Sequence, residues 1–283
     1  MTGAGYELRP GIAGPRLRLL GGWRDEFAEL VQSGDVVEIE ANYAFGWDGD
    51  LSFVSRVPEL RGLLVFDWTL EEISVVHRLH ELRVLELHTY DRGELDFAAF
   101  PRLEVCSLHW RPGAASLFGA VSLRELAVES FNRRSLDPFA KLGALRSLSV
   151  SNGPAPALGR VADLENLRVL RLRGMRKLRD LQGIERLTRL EELDLSEAPI
   201  GDLGPLRHLT QLRRLQLSDV GSLESLAPLA ALPLEAVLFD GDVDVRDGDL
   251  TPLLEIAPLR TVGFMEREHY NRRRADFAER GIT

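Results

Sequence analysis

The sequence predicts an α/β repeat fold: a curved solenoid with short parallel β-strands on its concave face and helical or 3₁₀ return segments on its convex face. Three observations predict it. The first is a pattern, LxxLxL, that recurs as LRGLLV at 60, LRVLEL at 82, LEVCSL at 103, LRELAV at 123, LRSLSV at 145, LRVLRL at 167, LEELDL at 190, LRRLQL at 212, LEAVLF at 234 and LRTVGF at 259. The second is spacing: successive starts differ by 22, 21, 20, 22, 22, 23, 22, 22 and 25 residues, the self-similarity of a repeat architecture. The third is composition: 283 residues, 45% hydrophobic and 28% charged, suit a folded chain with a sizeable core.

Each element follows from the pattern. In LEELDL, side chains alternate across the strand, so Leu193 and Leu195 point into the solenoid while Asp194 and Ser196 face out. Return segments such as LGPLRHL and LAPLAAL are short and contain Pro, which predicts 3₁₀ or helical turns in place of long helices. No copy can bury its own apolar face, so stability comes from stacking and both ends need caps. At the N-terminal end WRDEFAELVQSG, 23–34, has Trp23, Phe27, Leu30 and Val31 at helical spacing before a Gly stop. At the other end EREHYNRRRADFAERG, 266–281, offers Tyr270 and Phe277 as large anchors. The expected organisation is an N-terminal segment and capping helix over 1–33, about 10–11 repeats over 34–265 starting from the degenerate copy DVVEIE, and a C-terminal cap over 266–283.

The copies resemble the leucine-rich repeat family, most closely the short bacterial 22-residue type LxxLxLxxNxIxxLxxLxxL, over roughly residues 34–265. The segment NYAFGWDGDLSF, 42–53, and the close of the chain after HY are similar to features of a group of bacterial repeat proteins, a likeness that implies no activity. One departure is systematic. Where the family has Asn, this chain has Trp68, Tyr90, Arg111, Phe131, Gly153, Met175, Ala198, Val220 and Asp242. The Asn ladder that satisfies backbone groups at the turn is therefore replaced, and apolar side chains or water are expected to fill those turns. On this reading Trp68, Tyr90 and Phe131 pack inward, whereas Phe66 and Trp110 are exposed.

A net charge of −9 argues against a dedicated nucleic-acid binder, because neutralising phosphates needs an excess of Lys and Arg. The N-terminus MTGAGYELRPG has no apolar h-region and no run approaches a membrane span, so a cytoplasmic protein is expected; it is also expected to be a monomer. The one cysteine, Cys106, cannot form an internal disulfide and reads as a small buried hydrophobe in LEVCSL. No GxxxxGK[ST], GxGxxG after a strand, HExxH, GxSxG or CxxC occurs, so neither enzyme activity nor a cofactor is expected.

Other groups invite chemistry. DGDVDVRDGD, 240–249, starts like a calcium loop, but Val245 and Thr251 stand where such a loop needs Gly and a bidentate carboxylate. A solvated turn, with Asp247 or Asp249 capping the next segment, is the reading taken. His88 and His109 hold equivalent positions in adjacent copies, with Phe66 and Glu129 in the same column. His88, His109 and Glu129 could serve a metal-dependent enzyme only if they converged from a flat ladder. His77 and His80 fall on a return segment. Arg61, Arg83, Glu104, Arg124, Arg146, Arg168, Glu191, Arg213, Glu235 and Arg260 form a further column, read as a ladder of exposed ion pairs or an edge for an acidic partner.

Aromatics concentrate early: Trp47, Phe66, Trp68, Tyr90, Trp110 and Phe131, against Ser149, Ser151, Arg171, Arg173, Asp194, Ser196, Gln216 and Ser218 at later outward positions. Interfaces draw their energetic centres from Trp, Tyr and Arg. The expected function is a non-catalytic scaffold that binds a protein partner on its concave face through Phe66, Glu86, His88, His109, Trp110 and Glu129. An inhibitor or immunity-type protein that occludes a target would use the same surface.

Overall fold

The computed structural model describes residues 5–70, 72–90 and 93–283, so residues 1–4 of the expected N-terminal segment lie outside the described residues. The chain divides into two compact units, Met1–Glu129 and Ser130–Thr283.

In the first unit β1 (Tyr6–Pro10) and β2 (Pro15–Leu19) form an antiparallel hairpin, and β2 pairs in parallel with β3 (Glu38–Asn42). The parallel order continues through β4 (Gly62–Phe66), β5 (Val84–His88), β6 (Val105–His109) and β7 (Glu125–Glu129). The register sets Leu63, Leu85, Cys106 and Leu126 side by side, none more than 2% exposed. Burial pushes the Cys106 thiol far above its usual range, so it stays protonated and packs as a hydrophobe. The 3₁₀ turns Ser52–Arg56, Ser74–Arg78, Phe97–Ala99 and Pro112–Gly119 close the other side of the core with Val54, Val76, Phe97 and Leu117.

Helix α1 (Glu26–Gln32) buries Phe27 and Val31, and Trp23 stacks on Phe53 at 4.5 Å and meets Phe27 edge-on at 5.5 Å. The hairpin before it was not legible as a cap. It covers part of the sheet face. Glu38 and Glu40 stand at outward positions, yet they are 0% and 4% exposed. Two buried carboxylates persist only if paired. Glu38 accepts from Arg16 Nε at 2.8 Å and from the Ala13 N–H in the hairpin turn, and Glu40 accepts from Arg18 Nε at 3.0 Å. Gly11 and Gly62 leave room for Glu38: a Cβ at either position would run into its side chain.

The second unit runs β8 (Ser147–Ser151), β9 (Val169–Arg173), β10 (Glu192–Ser196) and β11 (Arg214–Ser218) in parallel register. Between β12 (Ser222–Leu223) and β14 (Asp244–Val245), which pair with each other, β13 (Ala236–Asp240) extends the main sheet to β15 (Thr261–Gly263). Leu148, Leu170, Leu193 and Leu215 stack with at most 1% exposure. Pro opens the turns Asp137–Lys141, Gly204–His208 and Ala227–Leu229 and helix α2 (Thr251–Glu255), where its missing N–H costs nothing. The unit ends with α3 (Arg274–Ala278), which buries Phe277, and with Thr283, whose carbonyl accepts from Val262 N–H at 3.0 Å. Tyr270 Oη accepts from Val245 N–H at 3.0 Å. In the 240–249 turn Asp249 Oδ1 accepts from Thr251 N–H at 2.9 Å, a local side-chain turn just before α2, whose N-cap position is Leu250 and carries no side-chain cap.

The exposed Arg and Glu column makes pairs in both units: Arg83 with Glu104 at 3.8 Å, Arg168 with Glu191 at 2.8 Å and Arg213 with Glu235 at 2.7 Å. Such pairs contribute little in water. On the second unit's sheet face, Glu192 accepts from both Arg171 and Arg214, and Asp194, 4% exposed, accepts from Arg173 Nε at 3.0 Å. Burial raises the Glu192 pKa, but the hydrogen bonds from Arg214 and Arg171 outweigh it and hold the carboxyl below the usual range.

The turn that follows each strand differs between the units. In the second, Ser130, Asn152, Gly174, Glu197, Asp219 and Gly241 all have φ between 50° and 66°. That left-handed step breaks the strand alternation, so an apolar residue that follows it turns inward: Phe131, Met175, Ala198 and Val220 are at most 2% exposed, while Asp242, after Gly241, stays exposed. In the first unit Asp67, Thr89 and Trp110 lack this step and alternation runs one residue further. They point in, at 5%, 1% and 5% exposure, while Trp68 and Tyr90 point out, at 36% and 61%. This corrects the expectation for three residues. Trp68 and Tyr90 are not core, and Trp110 is not an exposed knob; Phe131 does pack inward.

Two outcomes test this account. Leu193→Ala should cost about 2–5 kcal/mol in urea unfolding, the cost of a core cavity, while exposed Gln216→Ala stays within about 0.5 kcal/mol. Equal costs would show the register to be wrong. Ser130→Gly should be neutral or stabilise by up to about 1 kcal/mol, since it removes a Cβ from a left-handed position, whereas Thr89→Gly should destabilise. The same sign for both would reject the backbone argument.

Candidate partner-binding site

Strands β4 to β7 carry the column Phe66, His88, His109 and Glu129, with Phe66 in register with His88 and His109 with Glu129. All four are half-buried. Phe66 lies flat on His88, with ring centroids 4.9 Å apart and planes 4° from parallel. The extra extended residue after β4 and β5 then brings Trp68 and Tyr90 beside them, 4.7 Å apart. Trp68 meets His88 edge-on at 6.3 Å and His109 at 5.8 Å, and Tyr90 meets His109 at 5.3 Å. Five rings from three successive copies thus form one cluster with Trp68 and Tyr90 at its exposed end.

His88 also contacts Ser107 Oγ through Nε2 at 3.3 Å and Glu129 through Nδ1 at 3.7 Å. Burial lowers its pKa and His109 adds to this, against the opposing pull of Glu129, so the imidazole is neutral at pH 7. Glu86, on the same sheet face, is half-buried beside the covered carboxylates. Burial raises its pKa, Arg16 opposes, and Glu38 and Glu40 raise it further. Trp110 packs on Phe118 at 5.7 Å and lines a groove of about 450 Å³ with Thr89, Tyr90, His109, Arg111, Pro112 and Gly113.

The structure therefore brings Phe66, His88, His109 and Glu129 together and sets Trp110 in the wall of an adjoining groove. Glu86 lies toward the hairpin side. Trp68 and Tyr90 were missed by sequence reasoning. Only Tyr90 had a signal: β-branched Thr89 before it avoids the left-handed region that Asn152 and Asp219 accept, whereas Asp67 before Trp68 is a residue type that enters it. The return-segment histidines serve packing: His77 Nε2 accepts from Asp96 N–H at 2.9 Å, and His80 Nδ1 contacts the Ala99 carbonyl at 3.0 Å. Among the described residues, no group of three or more His, Cys, Asp or Glu is arranged to hold a metal ion, and no helix is long and apolar enough to cross a membrane.

No family model matches the chain, and no curated protein sequence matches it. Solved structures do. An internalin, InlF, of Listeria monocytogenes superposes with a TM-score of 0.68 at 19% identity, over 88% of this chain and 73% of that one. A leucine-rich-repeat protein of Leptospira interrogans gives 0.57 at 14% identity, over 88% and 72%. A plant peptide hormone receptor in complex with RGF2 gives 0.56 at 17% identity, over 87% of this chain and 42% of that one. At these identities the likeness carries the fold alone. With the repeated LxxLxL pattern and the stacked parallel strands, it leads to one conclusion: the chain has the leucine-rich-repeat fold.

Proposed function

We propose that this chain is a non-catalytic protein-interaction scaffold, monomeric and cytoplasmic, that binds a protein partner on the exposed sheet face of its first unit. The proposed site comprises Phe66, Glu86, His88, His109, Trp110 and Glu129, with Trp68 and Tyr90 added. One observation carries the reading. Trp68 and Tyr90 are 36% and 61% exposed at a repeat position where Met175, Ala198 and Val220 are buried, and they cap a cluster of stacked rings. Large rings held rigid in water lose little entropy on binding and are common energetic centres of interfaces. The 450 Å³ groove beside Tyr90 supplies a concave neighbour for a partner side chain. A receptor of the same fold, solved in complex with RGF2, is a use of the fold in keeping with this reading. An inhibitor that occludes its target would engage the same surface and is the second form of the proposal.

Pull-down from native lysate with identification by mass spectrometry supplies the partner, and titration calorimetry then tests the site. Tyr90→Ala and Phe66→Ala should each weaken binding by about 2 kcal/mol or more, with the Tm of Tyr90→Ala unchanged. Ser149→Ala and Gln216→Ala should bind normally, and Trp110→Ala should lower Tm as well as affinity. Losses of equal size at all of these positions would reject the site. Glu86 gives a separate pH prediction. A carboxyl whose folded pKa is raised favours folding below its unfolded value of 4.5, and that contribution is lost as pH rises through the folded value. Glu86→Gln should therefore match or exceed the parent Tm at pH 7, with the difference shrinking below pH 4.5. A variant less stable than the parent at pH 7 would contradict it.

A further inference from the structure

A second pocket, of about 370 Å³, lies on the other side of Trp68 and is lined by Tyr43, Trp47, Asp48, Asp67, Trp68 and Thr69. Its chemistry is specific: aromatic rings and two carboxylates. Asp67 is turned inward because the chain takes no left-handed step after β4, and it is 5% exposed. Its Oδ1 accepts from Thr69 N–H at 2.8 Å and from Thr69 Oγ at 2.7 Å. Its Oδ2 accepts no hydrogen bond from the described residues, and it faces Gly49, where a Cβ would stand 3.5 Å away. Asp48 is exposed on the pocket rim, and its Oδ1 accepts from Asp50 N–H at 3.3 Å. Among the described residues, no Lys, Arg or His forms an ion pair with either carboxylate. A buried carboxylate without a cation partner is costly, and its wall of rings favours an organic cation over a hydrated metal.

The chain satisfies the same arrangement once with its own side chain. Arg18 lies 4.3 Å over the Phe45 ring, with Nε donating to Glu40 at 3.0 Å and Nη1 to Glu7 at 3.4 Å. Phe45 and Tyr43 belong to one 3₁₀ turn, Tyr43–Phe45, so a ring-and-two-carboxylate site filled by Arg18 stands next to a ring-and-two-carboxylate pocket that no guanidinium of the first unit's described residues fills. A planar guanidinium stacks on rings and presents paired donors to a carboxylate, which an ammonium cannot do as well. The geometry points to this pocket as the seat of an arginine side chain of the protein partner, an assignment that rests on the interaction reading above.

The test needs no partner. The probe is acetyl-glycyl-arginyl-glycinamide, titrated at millimolar concentration into the full chain while the Thr69 amide resonance is followed by NMR. The expected result is a saturable shift, weakened about tenfold or more for the neutral citrulline peptide and in the Asp48→Asn, Asp67→Asn and Trp68→Ala variants, as loss of one good contact predicts. Asp48 and Trp68 are exposed, so those two variants keep the fold. No shift, equal binding of the citrulline or the corresponding glutamate peptide, or unchanged affinity in both Asp48→Asn and Trp68→Ala would overturn the assignment. Partner binding by the same proteins separates the two readings: loss in Tyr90→Ala with none in Asp48→Asn and Asp67→Asn would keep the interaction site and overturn the arginine pocket.

Discussion

The fold depends on stacking of inward side chains between neighbouring strands that cannot be buried any other way. A single copy offers two or three leucines on a five-residue strand, and alone it would leave them in water. Set in register, as Leu170, Leu193 and Leu215 are, each loses its exposure to the copy before and the copy after. Full burial of one such side chain is worth about 1.5–3 kcal/mol, so the repeat is stable only as an array. The return turns follow from the same need, since Val54, Val76, Leu206 and Leu229 must reach the core from the far side within a few residues.

Within that frame one backbone torsion per copy decides which face the next residue joins. A left-handed residue costs a non-glycine side chain about 1–2 kcal/mol, which Ser130, Asn152, Glu197 and Asp219 sustain because the following residue then joins the core. Where the step is absent, alternation persists, and the polar or bulky residue that lands inside must be accommodated. Asp67 is held by Thr69, and Thr89 Oγ1 accepts from Arg111 Nη2 at 3.0 Å. The consequence for function is direct. The same repeat position yields a core methionine in one unit and an exposed tyrosine in the other, without any change in the leucine pattern.

Charge follows a similar division. On the first unit's face the hairpin takes Glu38 and Glu40 out of water against Arg16 and Arg18, and Glu86 borders them with its proton more firmly held. On the second unit's face, Arg171 and Arg214 together pair with Glu192, and Arg173 pairs with Asp194. What stays without a cation partner among the described acidic groups of the first unit includes Asp67 and Asp48, which line a pocket beside rings. That combination of apolar surface and unmatched negative charge is what a cationic anchor would complement.

The solenoid, its strand register and its short return turns were legible in the sequence, because a leucine at every third and second position over ten copies leaves few other ways to bury them. The column Phe66, His88, His109 and Glu129 was legible for the same reason: equivalent positions in stacked copies must be neighbours. The exposure of Trp68 and Tyr90 and the burial of Trp110 were not. They depend on torsions that a repeat pattern does not encode, and Asp67, which could have adopted the left-handed step as Asp219 does, did not. The hairpin over Glu38 was likewise out of reach, since nothing local in GIAG says which distant carboxylate its N–H will meet. Periodic burial is a property of the chain's own spacing; side-chain direction at a turn and contacts across distant segments are decided only when the copies are packed together.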